Sequence, residues 1–302
     1  MIDKIHLGDC LEIMKNIPDD SVDMVLCDLP YGTTNCKWDS IIPFDKLWEQ
    51  YNRVCKKNAA MVFTASNPFT SALIMSNPKY FKYTWVWEKS KATGYLNAKK
   101  MPMRAHEDVC VFYRKPPTYN PQKTKGTPYD KGTGHRPTSV YGSQGQKAKN
   151  KRRKELNKMT LEQVKDEMKT NGIEFTNLTK KEQMIDMLVE KVESIKVHVK
   201  NESGLRYPRT VQYFKTAESE GRKSVIHPTQ KPVLLFEYLI KTYTNEGEVV
   251  LDNCIGSGTT AIACINQNRR YIGIELGQDY YDKCNERIKK HIEKRSSNDN
   301  KK

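Results

Sequence analysis

Short hydrophobic runs alternate with amphipathic stretches over residues 1–118. Runs rich in β-branched and aromatic residues predict strands, and apolar residues spaced three and four apart predict helices. The predicted strands are Lys4–Leu7, Val22–Cys27, Ala59–Thr64, Tyr83–Glu88 and Val109–Tyr113, and the predicted helices are Cys10–Asn16 and Phe44–Cys55. Because strands and helices alternate, we expect a doubly wound, mostly parallel sheet of the α/β class.

A basic region without periodicity follows over residues 119–158. Within it, residues 147–158 (KAKNKRRKELNK) carry seven Lys or Arg side chains and one acidic side chain. Such a run is either a solvated linker or a loop that contacts DNA, and its place inside a folded chain supports the second interpretation. The candidate DNA-binding residues are Lys147, Lys149, Lys151, Arg152, Arg153 and Lys154.

Two helices with capping signals are predicted over residues 159–195. Thr160 with Gln163, and Thr179 with Glu182, have the spacing of capping boxes, and each pair precedes an apolar helical face. A short extended piece at residues 173–175 separates the two helices. This helix–extended–helix pattern resembles a SAP-type DNA-binding module, and a helical hairpin packed on the core is the alternative.

The α/β pattern resumes near residue 223 and continues through the last third of the chain. The predicted elements are a helix at Leu234–Tyr243, a strand at Glu248–Leu251, a helix at Thr259–Gln267, a strand at Tyr271–Ile274 and a helix at Asp279–His291. A bare loop as long as the interruption would be unusual inside a compact domain. We therefore expect a core in two halves (1–118 and 196–302) that carries an inserted basic region (119–158) and a helical unit (159–195).

Composition predicts a class of binding partner and a cellular compartment. Lys and Arg exceed Asp and Glu by enough to give a formal net charge of +15, which favours a polyanionic partner such as nucleic acid. The eight cysteines form no C-x-x-C pair, and several lie in apolar runs, so we expect reduced core residues. No signal region or membrane-spanning segment is visible, which predicts a soluble cytoplasmic protein.

Two predicted strands end in sequences that carry chemistry. Val22–Cys27 is followed by Asp28-Leu29-Pro30-Tyr31, and Glu248–Leu251 is followed by Asp252-Asn-Cys-Ile-Gly-Ser-Gly-Thr-Thr260. Ligands of open α/β sheets bind beyond the carboxyl ends of strands, and a Gly-rich turn before a helix lets backbone N–H groups approach a ligand. Glu275, at the end of the next strand, is placed to accept hydrogen bonds from ribose hydroxyls. A nicotinamide-binding unit competes for these residues, but Ala261 stands where its fingerprint has a third glycine.

With His227-Pro-Thr-Gln-Lys-Pro232 between them, these two motifs resemble those of amino-group DNA methyltransferases that use S-adenosylmethionine, in the permuted β-class order. The resemblance implies a circularly permuted, Rossmann-like methyltransferase fold in which the first and last strands are neighbours. It implies the catalytic residues Asp28, Leu29, Pro30 and Tyr31. The cofactor-binding residues it implies are Asp9, Cys10, His227, Thr229, Gln230, Lys231, Asp252, Asn253, Cys254, Gly256, Ser257, Gly258, Thr259, Thr260 and Glu275.

The implied reaction is transfer of a methyl group to adenine N6 in double-stranded DNA after the base leaves the duplex. Asp28 and the carbonyl of Leu29 would accept hydrogen bonds from the amino group, and Tyr31 would stack on the base. Family members that act on cytosine N4 usually have Ser at the position of Asp28, which favours adenine. Further expectations are a restriction–modification context and a homodimer.

Three departures from the family pattern keep other functions open. Leu29, Asn253 and Cys254 stand where the family usually has Pro, Pro and Phe. The alternatives are methylation of cytosine N4, of RNA or of protein, and a DNA-binding protein that has lost catalysis. No metal is expected, because position 110 is Cys where an HExxH site would need a second His.

Overall fold

The computed structural model describes residues 1–32, 39–137, 142–174, 180–191, 194–220, 225–227 and 229–299. The chain forms two compact units, one of residues 1–123 with 207–302 and one of residues 124–206. The second unit therefore contains parts of both the basic region and the helical unit that the sequence suggests.

The elements follow one another in the order below. The strands are β1 (Lys4–Leu7), β2 (Val22–Cys27), β3 (Cys55–Ala65), β4 (Phe81–Thr93), β5 (Arg104–Phe112), β6 (Thr124–Lys125), β7 (Tyr129–Pro137), β8 (Ser194–Asn201), β9 (Leu205–Arg206), β10 (Val211–Phe214), β11 (Val249–Asp252) and β12 (Arg270–Glu275). The helices are α1 (Cys10–Met14), α2 (Phe44–Val54), α3 (Phe69–Ser76), α4 (Gly142–Asn157), α5 (Leu161–Thr170), α6 (Lys181–Glu190), α7 (Ala217–Glu220), α8 (Val233–Tyr243), α9 (Thr259–Asn266) and α10 (Gln278–Asp299).

The first unit is built on an eight-stranded sheet with the order β1-β12-β11-β2-β3-β5-β4-β10. All neighbouring strands are parallel except that β5 runs antiparallel to both β3 and β4. The predicted mostly parallel α/β sheet is thus confirmed. The first strand, β1, lies beside the last, β12, with Lys4 opposite Ile272 and Leu7 opposite Glu275.

The central strands are mostly hydrophobic, because both faces of the sheet are covered. In β2, Val25 and Cys27 point into a core shared with α1, α2 and α3. Met24 and Leu26 point into the opposite core, which α8, α9 and α10 cover. The seven cysteines that the structure describes are free, and six of them are buried, as expected for reduced core residues.

Several boundaries differ from the sequence prediction. Helix α3 is missed because its short apolar segment directly follows Pro68 and shows no helical alternation. Strands β4 and β5 extend beyond their predicted ends as a hairpin in which Glu88 pairs with His106 and Thr93 with Arg104. Backbone hydrogen bonds support this polar extension, so the hydrophobic pattern gives no sign of it.

The second unit combines the two-stranded pairs β6–β9 and β7–β8 with helices α4, α5 and α6. Its buried cluster consists of Leu156, Val164, Met168, Ile173, Met184, Ile185, Leu188 and Val189. The predicted capping box is confirmed, since the Gln163 N–H donates to Thr160 Oγ1 at 3.2 Å and the Thr160 N–H donates to Gln163 Oε1 at 2.8 Å. The second box depends on Thr179, which lies outside the described residues, and the likeness to a SAP module stays a prediction.

The prediction of a loop at residues 147–158 was wrong, because most of this run lies on helix α4. Leu156 is the one residue of the run that is fully buried. Cross-helix ion pairs replace a wider apolar face: Arg152 with Glu167, Arg153 with Asp186 at 2.6 Å, and Lys149 with Glu190 at 3.1 Å. A helix packed mainly through charged side chains has little hydrophobic periodicity, which explains the error.

Candidate functional site

A cavity of about 750 Å³ opens beyond the carboxyl ends of the central parallel strands. Asp28 lines it directly after β2, Asp252 lines it at the end of β11, and Glu275 lines it at the end of β12. Parallel strands end at the same edge of a sheet, so their terminal side chains converge. The volume is typical of a pocket for a small-molecule ligand.

Of the core site residues proposed from the sequence, all but Gly258 line this cavity. Gly258 lies behind the Gly-rich turn as the N-cap residue of α9. The six proposed DNA-binding residues lie on α4 in the other unit. Two tryptophans of the sheet are buried, Trp85 at 5% and Trp87 at 3% exposure, and Trp87 also lines the cavity.

Asp28 is held by three side chains from three different segments. The Tyr31 hydroxyl donates to Oδ1 at 2.7 Å, the Thr64 hydroxyl donates to the same oxygen, and Lys231 Nζ donates to Oδ2 at 2.7 Å. Burial and the charge of Asp28 raise the pKa of Tyr31 well above its usual value, so its hydroxyl stays protonated and donates. The Tyr31 ring stacks on Phe69 with ring centroids 4.9 Å apart.

Asp252 has a different role from Asp28, although both follow a central strand. Its Oδ1 accepts the Cys254 N–H at 3.1 Å, and its Oδ2 accepts the Thr260 hydroxyl. Burial raises the pKa of Asp252 to about 7. Its side chain therefore closes the Gly-rich turn internally and fixes the start of α9.

Glu275 ties the Gly-rich turn to the end of β12. Its Oε2 accepts the Gly256 N–H and its Oε1 accepts the Gly277 N–H, each at 2.9 Å. Burial raises the pKa of Glu275, whereas these backbone donors act in the opposite direction. Each carboxylate oxygen has a second lone pair, so Glu275 can also accept hydrogen bonds from the hydroxyls of a ligand.

The segment before α8 lies against this turn. Thr259 Oγ1 donates to the Lys231 carbonyl at 3.2 Å, and the His227 ring lies 4.4 Å from that of Tyr280. Burial lowers the pKa of His227, which favours the neutral ring at neutral pH. On the other side of the cavity, Asp9 is the N-cap of α1 and accepts the Leu11 N–H at 2.8 Å.

The replacements at 253 and 254 are accommodated inside the fold. Asn253 is 2% exposed, and its Oδ1 accepts the Tyr51 hydroxyl at 2.6 Å. Its Nδ2 faces the sulfur atoms of Cys10 and Cys254 at 3.7 and 3.6 Å. The polar amide is thus paired on both sides, as burial of such a group requires.

Sequence reasoning missed Thr64 and Lys89 as site residues, whereas Glu107 belongs to a segment, residues 104–107, that resembles a family motif at the edge of the base pocket. These side chains come from β3, β4 and β5, and only the tertiary fold brings them near Asp28. Nothing in the local pattern of β3 and β4 marks Thr64 and Lys89. Within the described part of the chain, no group of three or more His, Cys, Asp and Glu side chains has the arrangement of a metal site.

Comparison with known proteins identifies the family to which this chain belongs. A family model described as a DNA methylase matches residues 22–286. The chain belongs to this DNA methylase family. Over the residues that the structure describes, no helix combines the length and apolar character needed to cross a membrane.

Curated relatives match this chain over short segments. The type II methyltransferase M.HpaI of Haemophilus parainfluenzae is 38% identical over 81 residues, which are 27% of this chain and 26% of that protein. The orphan methyltransferase M.BamHII of Bacillus amyloliquefaciens is 46% identical over 66 residues, 22% of this chain and 25% of that protein. The matched segment thus spans about a quarter of each relative.

Solved structures match over nearly the whole chain. The M1.HpyAVI complex with S-adenosylmethionine has a TM-score of 0.54 and 20% identity, covering 94% of this chain and 98% of that one. The cytosine-N4-specific PvuII DNA methyltransferase has a TM-score of 0.56 and 14% identity, covering 94% and 86%. These likenesses show a shared methyltransferase fold, which confirms the predicted fold class.

Replacing Gly258 with Ala is expected to destabilise this fold by about 2–5 kcal/mol. At φ +80° an L-residue is strained by about 1–2 kcal/mol, and the added Cβ would lie 2.7 Å from Cys284 Sγ, which adds overpacking of about 1–3 kcal/mol. Urea denaturation of the purified variant measures the loss.

Gly247→Ala is the matched control for that measurement. Gly247 has nearly the same φ, +79°, but nothing lies within 4 Å of its Cβ position, so only the backbone strain should appear. Adding Cys284→Ala to the Gly258 variant should recover part of the difference. Equal losses at the two glycines would show that the Cys284 contact contributes nothing.

Proposed function

We propose that this protein transfers a methyl group from S-adenosylmethionine to an exocyclic amino nitrogen in DNA, and that the acceptor is adenine N6. The observation that carries the proposal is that Asp28 and the turn formed by residues 252–260 open into one cavity. A site for the methyl donor and a site for the acceptor base are then adjacent, as direct transfer requires.

The residues around the Gly-rich turn fit the cofactor. Glu275 faces the cavity with acceptor capacity for ribose hydroxyls, and the backbone of Gly256 leaves a cradle that a side chain would fill, since a Cβ there would lie 4.0 Å from Cδ2 of His227. The first turn of α9 offers unpaired N–H groups to a carboxylate. When bound, S-adenosylmethionine supplies an electrophilic methyl carbon on a positively charged sulfur.

Asp28 orients the acceptor nitrogen. The lone pair of an exocyclic amine is delocalised into the base ring, so the nitrogen is a poor nucleophile. A carboxylate that accepts one N–H, with the Leu29 carbonyl accepting the other, favours the pyramidal nitrogen whose lone pair can attack. Asp28 is suited to this task because its three protein donors fix the direction of its oxygens.

The choice of adenine rests on Asp28 in place of the Ser that family members acting on cytosine tend to carry. Cytosine N4 is the alternative, since the same acceptors could serve it. An RNA substrate is disfavoured by the inserted basic unit, and competition between DNA and RNA for binding tests it. Dimerisation is a further proposal, which sedimentation of the purified protein measures.

Replacing Asp28 with Ala should abolish turnover and leave cofactor affinity almost unchanged. The lost acceptor acts in the transition state, so kcat should fall by at least about 10²–10³-fold. Methyl incorporation into DNA measures the first effect, and titration calorimetry with S-adenosylmethionine measures the second. If the variant also fails to bind the cofactor, Asp28 belongs to the cofactor subsite and not to the subsite of the acceptor base.

Digestion of methylated DNA to nucleosides, with identification by mass, tests the acceptor atom. We expect N6-methyladenine, because the Asp28 carboxylate is retained. Detection of N4-methylcytosine without N6-methyladenine would overturn the adenine assignment and leave the methyltransferase assignment intact. The Asp28→Ala protein is the control that excludes host methylation.

Helix α4 provides the residues that we propose for binding of duplex DNA. Its basic residues lie on two faces: Lys149, Arg152 and Arg153 form the ion pairs with α5 and α6 described above. The second face is an exposed lysine stripe formed by Lys147, Lys151, Lys154 and, directly after the helix, Lys158. Spacings of four, three and four residues place these lysines on one side of a helix. Because the described residues provide no ion-pair partner for them, we assign phosphate contacts to this stripe.

Changing all four stripe lysines to Gln should flatten the salt dependence of DNA binding. Each lost phosphate contact lowers the log–log slope by about 0.9, so four contacts correspond to about 3–4 units. Binding isotherms at several salt concentrations provide the slopes.

A control variant with Lys79, Lys115, Lys241 and Lys294 changed to Gln loses the same formal charge from exposed positions of the first unit. It should change the slope much less. If the stripe variant keeps the original slope, α4 is a structural helix with a solvated basic face.

A further inference from the structure

Lys231 was assigned to the cofactor from the sequence, but its side chain lies between two carboxylates at the Asp28 end of the cavity. Its Nζ is 2.7 Å from Asp28 Oδ2 and 3.4 Å from Glu107 Oε2. Lys89 Nζ lies 3.1 Å from the other Glu107 oxygen. Four charges therefore alternate in one chain, in the order Asp28, Lys231, Glu107 and Lys89.

The charge chain is shielded from water and balanced in sign. The side chains of Lys231 and Lys89 are 8% and 6% exposed, and those of Asp28 and Glu107 are 22% and 17% exposed. Burial opposes the charge on Lys231, but attraction to Asp28 and Glu107 outweighs it and raises the pKa of the ammonium. Burial likewise opposes the charge on Glu107, but Lys231 and Lys89 lower the pKa of this carboxyl. Both groups are ionised at neutral pH.

The two Asp28 oxygens have different neighbours. Oδ1 accepts the hydroxyls of Tyr31 and Thr64, whereas Oδ2 accepts the Lys231 ammonium. Lys231 is thus the cation that pairs with the Asp28 carboxylate and fixes its rotation. Its own backbone is fixed, because the Lys231 carbonyl accepts the Thr259 hydroxyl from the Gly-rich turn.

Glu107 supplies a second position for the ammonium. Its Oε2 is buried and makes no hydrogen bond with any described residue, although Lys231 Nζ lies 3.4 Å away. When the amino group of a base hydrogen-bonds to Asp28, the ammonium can turn toward this free acceptor without leaving its ion pair. The carboxylate then stays neutralised while one of its lone pairs becomes available.

We infer that Lys231 is a positioning residue for the reaction, and that Glu107 is the alternative partner that lets it release an Asp28 lone pair to the base. The inference rests on the proposed function. It assigns Lys231 to the acceptor side of the site, where it neutralises Asp28 and fixes the rotation of its carboxylate.

The test compares Lys231→Met, Lys231→Arg and the double variant Lys231→Met with Glu107→Gln. In Lys231→Met, kcat at neutral pH should fall on the order of 10²-fold. This is the size of effect expected when a group that controls a proton in the reaction is lost. The acidic limb of the variant's pH profile of kcat should move to higher pH, because the ammonium that neutralises the two carboxylates is gone. The other titratable groups that interact with Asp28 are Cys27, Tyr31, His227 and Asp252, and Lys89 still pairs with Glu107. Lys231→Arg keeps the charge and should retain the original pH profile.

The double variant keeps the net charge of the cluster, because it removes one positive and one negative charge. Its kcat should stay low, because Asp28 still lacks its ammonium partner. Cofactor affinity by calorimetry should change little in all three variants.

Unfolding in urea gives a readout that does not depend on turnover. Because the pKa of Glu107 is lowered in the folded protein, its ion pair contributes stability above its unfolded pKa and loses that contribution as the pH falls through the folded value. The stability gap between the original protein and Lys231→Met should therefore be large at neutral pH and shrink toward pH 3.

Three results would overturn the inference: an unchanged pH profile of kcat in Lys231→Met, full recovery of kcat in the double variant, or a loss confined to cofactor affinity. Failure of the proposed function has a different signature, since the unaltered protein would transfer no methyl group to DNA while the pH-dependent stability gap persisted.

Discussion

The parallel pairing of β2 with β11 is the contact on which the site depends. Val25 lies opposite Leu251, so Asp28 and Asp252 emerge from adjacent strands at the same edge of the sheet, although the whole inserted unit separates them in sequence. The register is specified by burial on both faces, since a shift by one residue would exchange the side chains that face the two cores. Hydrophobic packing far from the cavity thereby fixes the distance between the two subsites.

Two acidic residues at neighbouring strand ends acquire different properties from their surroundings. Asp252 is enclosed by donors from its own turn, and burial raises its pKa to about 7, so it serves as an internal clamp. Asp28 faces the cavity and has an ammonium against one oxygen. Sequence position alone does not distinguish them, because each simply follows a hydrophobic strand. The decisive difference is the presence of Lys231 beside only one of the two.

Elements defined by local hydrophobic pattern could be predicted from the sequence. Strands β1 and β2 begin and end at the predicted residues, because β1 alternates polar and apolar residues and β2 is apolar except for Asp23. Helix α4 could not be predicted, since its packing depends on ion pairs with helices that follow it in sequence. The contacts of Lys89, Glu107 and Thr64 were equally hidden, because residues on strands face a cavity or solvent according to tertiary register.

The three departures from the family pattern fall where the chemistry needs no particular side chain. At position 29 the proposed contribution is a backbone carbonyl, which every residue has, and the Leu29 side chain is 3% exposed in the core. At position 253 the amide is paired with the Tyr51 hydroxyl, so packing determines which residue is tolerated there. The residues that match the family pattern include the carboxylates at 28 and 275 and the glycine at 258. The replacements at 29 and 253 are therefore compatible with the proposed reaction, because the proposal assigns no chemical role to either side chain.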